Sequence, residues 1–567
     1  MVNLKGKWVF LLVVLSIMIL MVGCMRAEVP VEPDDPDEPG AEDPVDDPQP
    51  TKSKVVVGQN FTGTVSWDPP QDWHSAEEWT IENAYDYLFY RCPENKEWVP
   101  ELAYKWERID DLTVRFWLEE GVKFHDGTDF TAADVKSHYR RIIEGPRELY
   151  IVSHQYDYID KMIIHDDYTI DFVSKEPTTL FFWRLTQQNN GAGIVSKAYY
   201  EEVGAEGIHR WPMGTGPWKL DSWARDEFIL FERNEDYWQT DKMPNYDWLE
   251  FRIIPEMSTR VAELLTGGLD LTFDISPEDE ARVANAPGIQ SLWQKAVAGY
   301  IMRIRTERDP QFAGDPQLDR YFLTEDWRIR KAVELAIDKY GLRDIAGGEG
   351  EPMRVRNLRP ASWASPKLYG PEANLYDPEA ARALIAEAGY APGEATLVFH
   401  AGVRPDLCPD IAEVVKQMLE EVGFTVDMRI LAGPLLNTEV YNPGKSEELL
   451  LYPIGGNHNP FFATMAYLSD RATLRGGMGL VNEETLPEEL KNYHERVDSL
   501  LNTAYTAVDD EQKSINAYHE ALELVADARA RELGLFQLST LWGISDDIEY
   551  TPRFDNDIWG YDIKVVR

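Results

Sequence analysis

Gly214-Thr215-Gly216-Pro217-Trp218-Lys219-Leu220 is the most informative segment of this chain of 567 residues. Its two glycines accept backbone positions closed to other residues, and its proline restricts the backbone just before a predicted strand at Trp218. The apolar run at residues 228–231 predicts a second strand, which Arg233-Asn234-Glu235-Asp236-Tyr237-Trp238 follows. We predict that the glycines and the proline serve the scaffold, because such residues usually form turns.

Strands and helices alternate on both sides of this segment. The predicted strands include residues 55–58, 112–118, 249–254 and 424–431, and the predicted helices include residues 258–267, 327–342, 411–422 and 509–530. Because the two kinds of element are mixed throughout the chain, the predicted fold class is α/β with mixed sheets.

Two helices have predicted boundaries. Thr131 is a predicted N-cap with Asp134 three residues later, an acidic variant of the capping box. Asp377 is the predicted N-cap of the other helix, with Pro378 in its first turn and Gly389 at its end.

The charge of the chain excludes one class of function. The formal net charge is −43, a field that repels nucleic-acid phosphates, so we expect no nucleic-acid partner. The charge favours solubility, and attraction of cationic ligands is the alternative interpretation. The 18 Trp, 27 Tyr and 21 Phe supply core, and any surplus is available to line a ligand site.

The amino terminus predicts export and lipid attachment. Lys5 and Lys7 precede an apolar run at residues 8–22, which has the length of a signal-peptide core and is short for a membrane span. Met21-Val22-Gly23-Cys24 resembles a bacterial lipobox, which implies a signal peptide at residues 1–23 and a lipid on Cys24. The alternative is an uncleaved signal anchor.

Residues 24–53 are predicted to form an acidic, proline-rich tether. From Ala27 to Thr51 there is no Lys or Arg, and proline together with repelling charges keeps such a segment extended. The other two cysteines, Cys92 and Cys408, are too few for a disulfide scaffold or a zinc cluster, so we expect two separate buried thiols.

Four blocks of sequence follow one another along most of the chain. They are Pro100-Glu101-Leu102-Ala103 with residues 121–128 and 131–135; the segments 214–220 and 233–238; residues 253–255 and 258–260 ending in Gly267-Gly268-Leu269-Asp270; and residues 328–332 and 336–338 with 376–381 and 387–390. Together they resemble the extracellular solute-binding proteins of peptide and nickel ABC importers, called family 5.

The resemblance implies a periplasmic-binding-protein-like fold of type II, cluster C. It has two lobes with mixed sheets, an extra subdomain and a ligand cleft between the lobes, which close on the ligand by a hinge. We predict lobe I at residues 54–305 with the subdomain at about 96–210, lobe II at residues 306–500, and a return to lobe I at residues 501–567.

The implied function is the substrate-binding component of an ABC importer, not an enzyme. The expected partners are the transmembrane subunits of the permease, a small peptide-like solute, and the membrane through the lipid on Cys24. We expect a monomer on the extracytoplasmic face of the cell membrane, with neither cofactor nor metal.

The resemblance also nominates ligand-binding residues. Arg404 matches an arginine that receives the peptide carboxylate in dipeptide-binding relatives, and a guanidinium suits that role; a structural ion pair is the alternative. Trp67 lies closest to the family's ligand-facing first loop, where stacking on a ligand and core packing are both open.

A second stretch, residues 451–462, departs from the family pattern. Its candidate ligand-binding residues are Tyr452, Gly455, Gly456, Asn457 and His458. Gly455 and Gly456 stand where relatives have an aspartate that pairs with the peptide ammonium, and an unpaired buried ammonium is costly. His458 alone does not indicate a metal site, because such sites need several convergent ligands.

Three alternatives remain open at this point, one of which is a receptor that signals or adheres rather than transports. The same fold binding an oligosaccharide or another non-peptide solute is favoured by the Trp content and by asparagine in place of aspartate. A secreted hydrolase is less favoured, because the chain contains no Gly-x-Ser-x-Gly, His-Glu-x-x-His, phosphate loop or Cys-x-x-Cys.

Overall fold

The computed structural model describes most of the chain after residue 51. The described residues are 52–60, 66–71, 80–92, 97–146, 150–186, 191–304, 322–347, 350–355, 366–402, 408–431, 448–455, 486–528, 532–553 and 558–567.

Strands and helices are mixed along these residues. The strands are β1 (Lys54–Gln59), β2 (Phe89–Arg91), β3 (Trp98–Pro100), β4 (Ala103–Arg108), β5 (Thr113–Leu118), β6 (Ile159–Asp166), β7 (Thr169–Ser174), β8 (Trp218–Ala224), β9 (Phe228–Arg233), β10 (Trp248–Ile253), β11 (Leu271–Ile275), β12 (Ile289–Ile304), β13 (Ala395–Gly402), β14 (Phe424–Leu431), β15 (Leu449–Gly455), β16 (Glu532–Ser545), β17 (Ile548–Glu549) and β18 (Lys564–Val565). The α-helices are α1 (Ala132–Glu144), α2 (Leu180–Arg184), α3 (Lys197–Arg210), α4 (Met257–Leu265), α5 (Glu280–Ala284), α6 (Trp327–Ala336), α7 (Lys339–Ile345), α8 (Pro378–Glu387), α9 (Cys408–Glu421), α10 (Tyr493–Thr506) and α11 (Glu511–Asp527).

One large mixed sheet runs through the molecule. Among the described residues its order is β14-β13-β15-β12-β16-β11-β1-β10-β9-β8. The long antiparallel strands β12 and β16 lie at its centre and pair with each other along most of their length. β12 also pairs with β15 on one side, and β16 pairs with β11 on the other. These two strands are therefore the connections between the halves of the sheet.

Separate hydrophobic cores cover the two halves. The core beside β1 and β8–β11 includes Val57, Phe251 and Trp542, and the core beside β13–β15 includes Phe399 and Leu451. A smaller antiparallel sheet, in the order β4-β5-β7-β6, has a third core with α1. Mixed sheets with helices on their faces confirm the predicted α/β class.

Local sequence signals set the helix ends. The Thr131 side chain accepts a hydrogen bond from the backbone N–H of Ala133, and the Asp134 carboxylate accepts one from the backbone N–H of Thr131, which confirms the capping box. The Asp377 side chain caps α8, and Gly389 follows that helix with φ +96°. The helix predicted over residues 327–342 is instead split into α6 and α7, because Asp338 caps a new helix.

The described cysteines match the predicted state. Cys92 and Cys408 are both buried thiols, and burial raises the pKa of Cys408 to about 12. Within the described residues, no helix is both long enough and apolar enough to cross a bilayer.

Candidate functional site

The carboxyl ends of parallel strands from the two halves of the sheet point toward each other. β11 and β12 run in the same direction, because both are antiparallel to β16. β13 is parallel to β15, and β15 is antiparallel to β12, so β13 and β15 run back toward β11. The two carboxyl edges thus face each other across the middle of β12 and β16, and such edges are where α/β proteins place ligands.

The pairing of the two crossing strands gives the distance between the two carboxyl edges. Ile275, at the end of β11, pairs with Leu541, which pairs with Trp293 of β12. Gly455, at the end of β15, pairs with Ala298. β12 bulges between Gln294 and Ala298, so its five positions from Trp293 to Ala298 lie opposite only three positions of β16, from Leu541 to Leu538. At about 3.3 Å per residue, three positions span about 10 Å. We call the region between these edges the cleft.

Four of the ligand-binding residues predicted in lobe II come soon after strands of this edge in the sequence. Arg404 follows the end of β13 at Gly402, and Gly456, Asn457 and His458 follow the end of β15. These four residues lie outside the described residues, and their ligand contacts stay a prediction.

Tyr452 lies on β15 in a buried polar group. Its hydroxyl accepts a hydrogen bond from Arg303 at 3.2 Å and donates one to Glu532 at 3.3 Å. The Arg303 guanidinium also lies 5.4 Å from the centre of the Tyr452 ring. Arg303 is on β12 and Glu532 on β16, so Tyr452 joins lobe II to both crossing strands.

The other carboxyl edge holds an acidic residue that sequence reasoning missed. Asp274 lies in a β-bulge of β11, where the pairing with β16 shifts, and its φ is +56°. Its Oδ1 accepts a hydrogen bond from Thr540 Oγ1 at 2.7 Å, and its Oδ2 accepts one from Asn60 Nδ2 at 3.3 Å. The side chain of Asp274 is exposed to solvent.

The surroundings of Asp274 disfavour its charged form. Although the residue has an exposed surface, the protein around its carboxyl group reduces that group's solvation and raises the pKa of Asp274, while Thr540, Arg260 and Asn60 oppose the rise. The family block at residues 267–270 ends four residues earlier, and the bulge depends on β16, more than 260 residues later. No local signal in the sequence therefore marked this residue.

Trp67 lies in the core beside β1. It is fully buried, and its ring packs edge-on against Trp223 and Phe231 at centroid distances of 6.0 and 5.8 Å. In this conformation the Trp67 side chain packs in the core. The predicted ligand contact would require the ring to become accessible and stays a prediction.

The segment that carries Trp67 is tied to the subdomain. The carboxylate of Asp68 accepts hydrogen bonds from both terminal nitrogens of Arg141 on α1, at 2.7 and 2.8 Å. His138, also on α1, contacts the carbonyl oxygen of Gly191 through Nε2 at 2.7 Å. The Asp68–Arg141 pair thus holds residues 66–71 against α1, and His138 holds Gly191 there.

A buried pair of carboxyl groups lies at the junction between the subdomain and β8. Asp86 accepts hydrogen bonds from Thr215, Tyr237 and Trp238 at 2.8, 3.0 and 2.8 Å. Burial raises the pKa of Glu101 to about 7, with Lys242, 3.7 Å away, opposing the rise and Asp86 adding to it. Through its hydrogen bond with Thr215, Asp86 helps to hold the segment 214–220 in place, which is a structural role.

Trp98 and residues 179–180 contact α10 and the core around Tyr452. The backbone N–H of Thr179 donates to the carbonyl oxygen of Tyr505 on α10 at 2.8 Å, and the Thr179 hydroxyl donates to that of Ala504 at 3.3 Å. Leu180 and Trp98 pack against a core that contains Tyr452 and Tyr518. Trp98 and residues 179–180 are therefore in contact with α10 and with the core around Tyr452.

Comparison with known families identifies the chain. Residues 97–470, more than half of the sequence, match the family described as bacterial extracellular solute-binding proteins, family 5. The chain belongs to family 5. Family 5 proteins are solute-binding components of ABC importers, so the chain has a transport role and is not an enzyme.

Relatives within family 5 cover most of the chain. The glutathione-binding protein GsiB of Escherichia coli O1:K1 is 28% identical over 396 residues, which cover 69% of this chain and 72% of that protein. The chain is similar in structure to a dipeptide-binding protein from Pseudoalteromonas sp. SM9913 in complex with Met-Leu, with a TM-score of 0.72, 22% identity, and 90% and 100% of the two chains covered.

A third comparison extends the likeness. The oligopeptide-binding protein AppA of Bacillus subtilis, in complex with a nonapeptide, aligns with a TM-score of 0.70 and 18% identity, covering 91% of this chain and 99% of that one. These likenesses confirm the predicted two-lobe periplasmic-binding-protein fold. The residue boundaries predicted for the lobes stay a prediction. Among the described residues no group of three His, Cys, Asp or Glu side chains is arranged to hold a metal ion.

Proposed function

We propose that this family 5 protein captures a peptide-like solute in the cleft and delivers it to an ABC permease. The observation that carries the proposal is the pair of carboxyl edges, from β11 on one side and from β13 and β15 on the other, that face each other across β12 and β16. A solute between them touches both lobes only when the lobes are closed, so it stabilises the closed form.

The relatives support a peptide-like cargo. One is named for glutathione, and two similar structures hold the dipeptide Met-Leu and a nonapeptide. All three ligands are built from amide-linked amino acids with charged ends. In this chain Arg404 is the proposed partner of the solute's carboxylate, since a guanidinium binds a carboxylate through two parallel hydrogen bonds.

The proposal includes lipid attachment. The apolar run at residues 8–22, the segment Met21-Val22-Gly23-Cys24 and the acidic tether at residues 24–53 support a monomeric receptor held by a lipid on Cys24 at the extracytoplasmic face of the membrane. A stiff, charged tether keeps the ligand-binding body clear of the lipid surface.

The cargo is tested by thermal shift and calorimetry on the full-length protein in detergent micelles. The probes are trialanine, glutathione, maltotriose and nickel chloride. A specific solute stabilises the folded protein by RT ln(1 + L/Kd), where L is the free solute concentration, so the melting temperature rises with the logarithm of the solute concentration once that exceeds Kd. We expect stabilisation by at least one of the two peptides and none by maltotriose or nickel. Stabilisation by maltotriose alone would favour the oligosaccharide alternative and contradict the peptide cargo.

A further inference from the structure

The carboxyl group of Asp274 has no cationic side chain beside it in the described part of the chain. Within the described part of the chain no Lys, Arg or His lies within 4.0 Å of its oxygens. The cation that acts on it, Arg260, is buried and donates instead to the carbonyl oxygens of Ile254 and Pro255, at 2.8 and 3.2 Å. The donors that do reach the carboxylate, Thr540 and Asn60, are neutral.

The backbone at Asp274 is held in an uncommon conformation. A φ of +56° lies in the left-handed region, which costs a residue other than glycine free energy and is tolerated best by asparagine and aspartate. The backbone N–H of Asp274 donates to Thr540 Oγ1 at 3.0 Å, and that hydroxyl donates back to the carboxylate. Thr540 lies on β16, one of the two crossing strands, so that strand sets the position of this carboxylate at the cleft.

A second polar group at the same edge has unused hydrogen-bonding capacity. Gln59, the last residue of β1, is 1% exposed, and both of its side-chain amide atoms lack a hydrogen-bond partner in the described structure. The parallel pairing of β1 with β11 ends at Gly58 and Thr272, one residue before Gln59, and the next residue, Asn60, donates to Asp274. A buried amide without partners is costly, so this edge holds more polar groups than the fold itself satisfies.

We infer that Asp274 is a specificity-determining residue that binds a protonated amine of the solute. The amine would donate to the carboxylate at the lone pairs that Thr540 and Asn60 leave free. It would displace solvent there and supply a positive charge beside the carboxylate. The inference rests on the proposed binding of a solute in the cleft. It adds that the solute has a positive end that faces lobe I.

The test compares ligand pairs that differ only in one amine. The pairs are trialanine with N-acetyltrialanine and glucosamine with N-acetylglucosamine, titrated by calorimetry into the full-length protein, Asp274→Asn and Asp226→Asn. Asparagine keeps the shape and the left-handed preference but removes the charge. Asp226 is the matched control, because it is an exposed aspartate with φ +64° in the turn between β8 and β9.

We expect the unmodified protein and Asp226→Asn to bind the amine at least about tenfold more tightly than its acetylated partner, and Asp274→Asn to lose that preference. Equal binding of both members of a pair, or a preference that survives Asp274→Asn, would overturn the inference and leave the proposed function standing. An amine preference for glucosamine without any peptide binding would support the inference and contradict the peptide cargo. Binding of no probe by the unmodified protein would count against both.

Discussion

Asp68 and Arg141 form a buried, two-pronged ion pair, with N–O distances of 2.7 and 2.8 Å and at most 4% of either side chain exposed. The pair joins the loop after β1 to the subdomain helix α1. Tyr150 also accepts from Arg141 at 3.4 Å, and Gln71 donates to Asp68 at 2.7 Å. The side-chain hydrogen bonds of this pair thus link residues 68–71 to residues 141–150.

Arg141→Ala is expected to destabilise the protein by about 3–5 kcal/mol, because it leaves the Asp68 carboxylate buried without its counter-ion. Arg141→Lys keeps the charge but loses one of the two hydrogen bonds, so its loss should be smaller. The free energy of unfolding from denaturant titration measures both. Arg140→Ala is the control on the same helix, since that side chain is 56% exposed; a loss for Arg141→Ala no greater than for Arg140→Ala would contradict the role of the pair.

Glu101 makes stability depend on pH. Burial raises its pKa from 4.5 to about 7, so the folded protein holds a proton that the unfolded chain releases between these pH values. Stability from this group is therefore present below pH 4.5 and is lost as the pH rises to about 7, by about 3 kcal/mol in total. Glu101→Gln, which cannot ionise, should remove most of that loss.

Denaturant unfolding at pH 5 and pH 8 tests this effect. The control is Glu107→Gln on the neighbouring strand β4, where the side chain is exposed. The unmodified protein and the control should both lose stability over this interval, and Glu101→Gln should lose about 2–3 kcal/mol less. Parallel pH profiles for all three proteins would show that Glu101 is not the source.

Gly216 is expected to tolerate no larger residue. A Cβ at this position would lie 2.6 Å from the carbonyl carbon of Ala84 and 2.8 Å from the backbone nitrogen of Tyr85. Because these are backbone atoms, Gly216→Ala should cost about 1–3 kcal/mol in the free energy of unfolding. Gly268→Ala is the control, since the nearest atom is the mobile carboxylate of Glu263 at 3.3 Å. Equal costs for the two substitutions would argue against close approach at Gly216.

Arg404→Ala should weaken binding of a peptide with a free carboxylate by well over tenfold, because it removes the proposed bidentate partner. Calorimetry with trialanine and with its C-terminal amide separates this effect from general damage: the amide should lose far less. Arg429→Ala on β14, where the side chain is 61% exposed, is the control. Unchanged trialanine affinity in Arg404→Ala would remove this residue from the site.

Cys24→Ser should release the protein from membranes, because serine has no thiol to accept the lipid. Fractionation of cells into membrane and soluble material measures the release, and Cys92→Ser should stay with the membrane. Continued membrane association of Cys24→Ser would favour an uncleaved signal anchor at residues 8–22.

The sequence predicted the elements better than it predicted their contacts. Local rules were enough for the Thr131 capping box and for Gly389, whose φ of +96° follows from its place at the end of a helix. Apolar periodicity continued smoothly over residues 327–342 and hid the break, because Asp338 ends one helix by capping the next. A cap inside an amphipathic pattern changes the backbone without changing the pattern.

The site was harder to predict, for a physical reason. Arg404 and the residues after β15 were nominated from chain segments that resemble the family. Asp274 acquires its position from Thr540, far away in the sequence, through a bulge that no local pattern encodes. Trp67 shows the opposite case, because an aromatic residue near a ligand-facing loop and one in a core have the same sequence signature.

The path of β16 also determines when lobe I can finish folding. β11 pairs with residues 541–544, and the core beside it includes Trp542, Ile558 and Val565 from the end of the chain. During synthesis, β11 in lobe I therefore has an unpaired edge until the intervening lobe II and then β16 have been made. Such long sequence separation slows folding. A chain that stops before Glu532 would lack β16, the strand through which β11 is joined to β12.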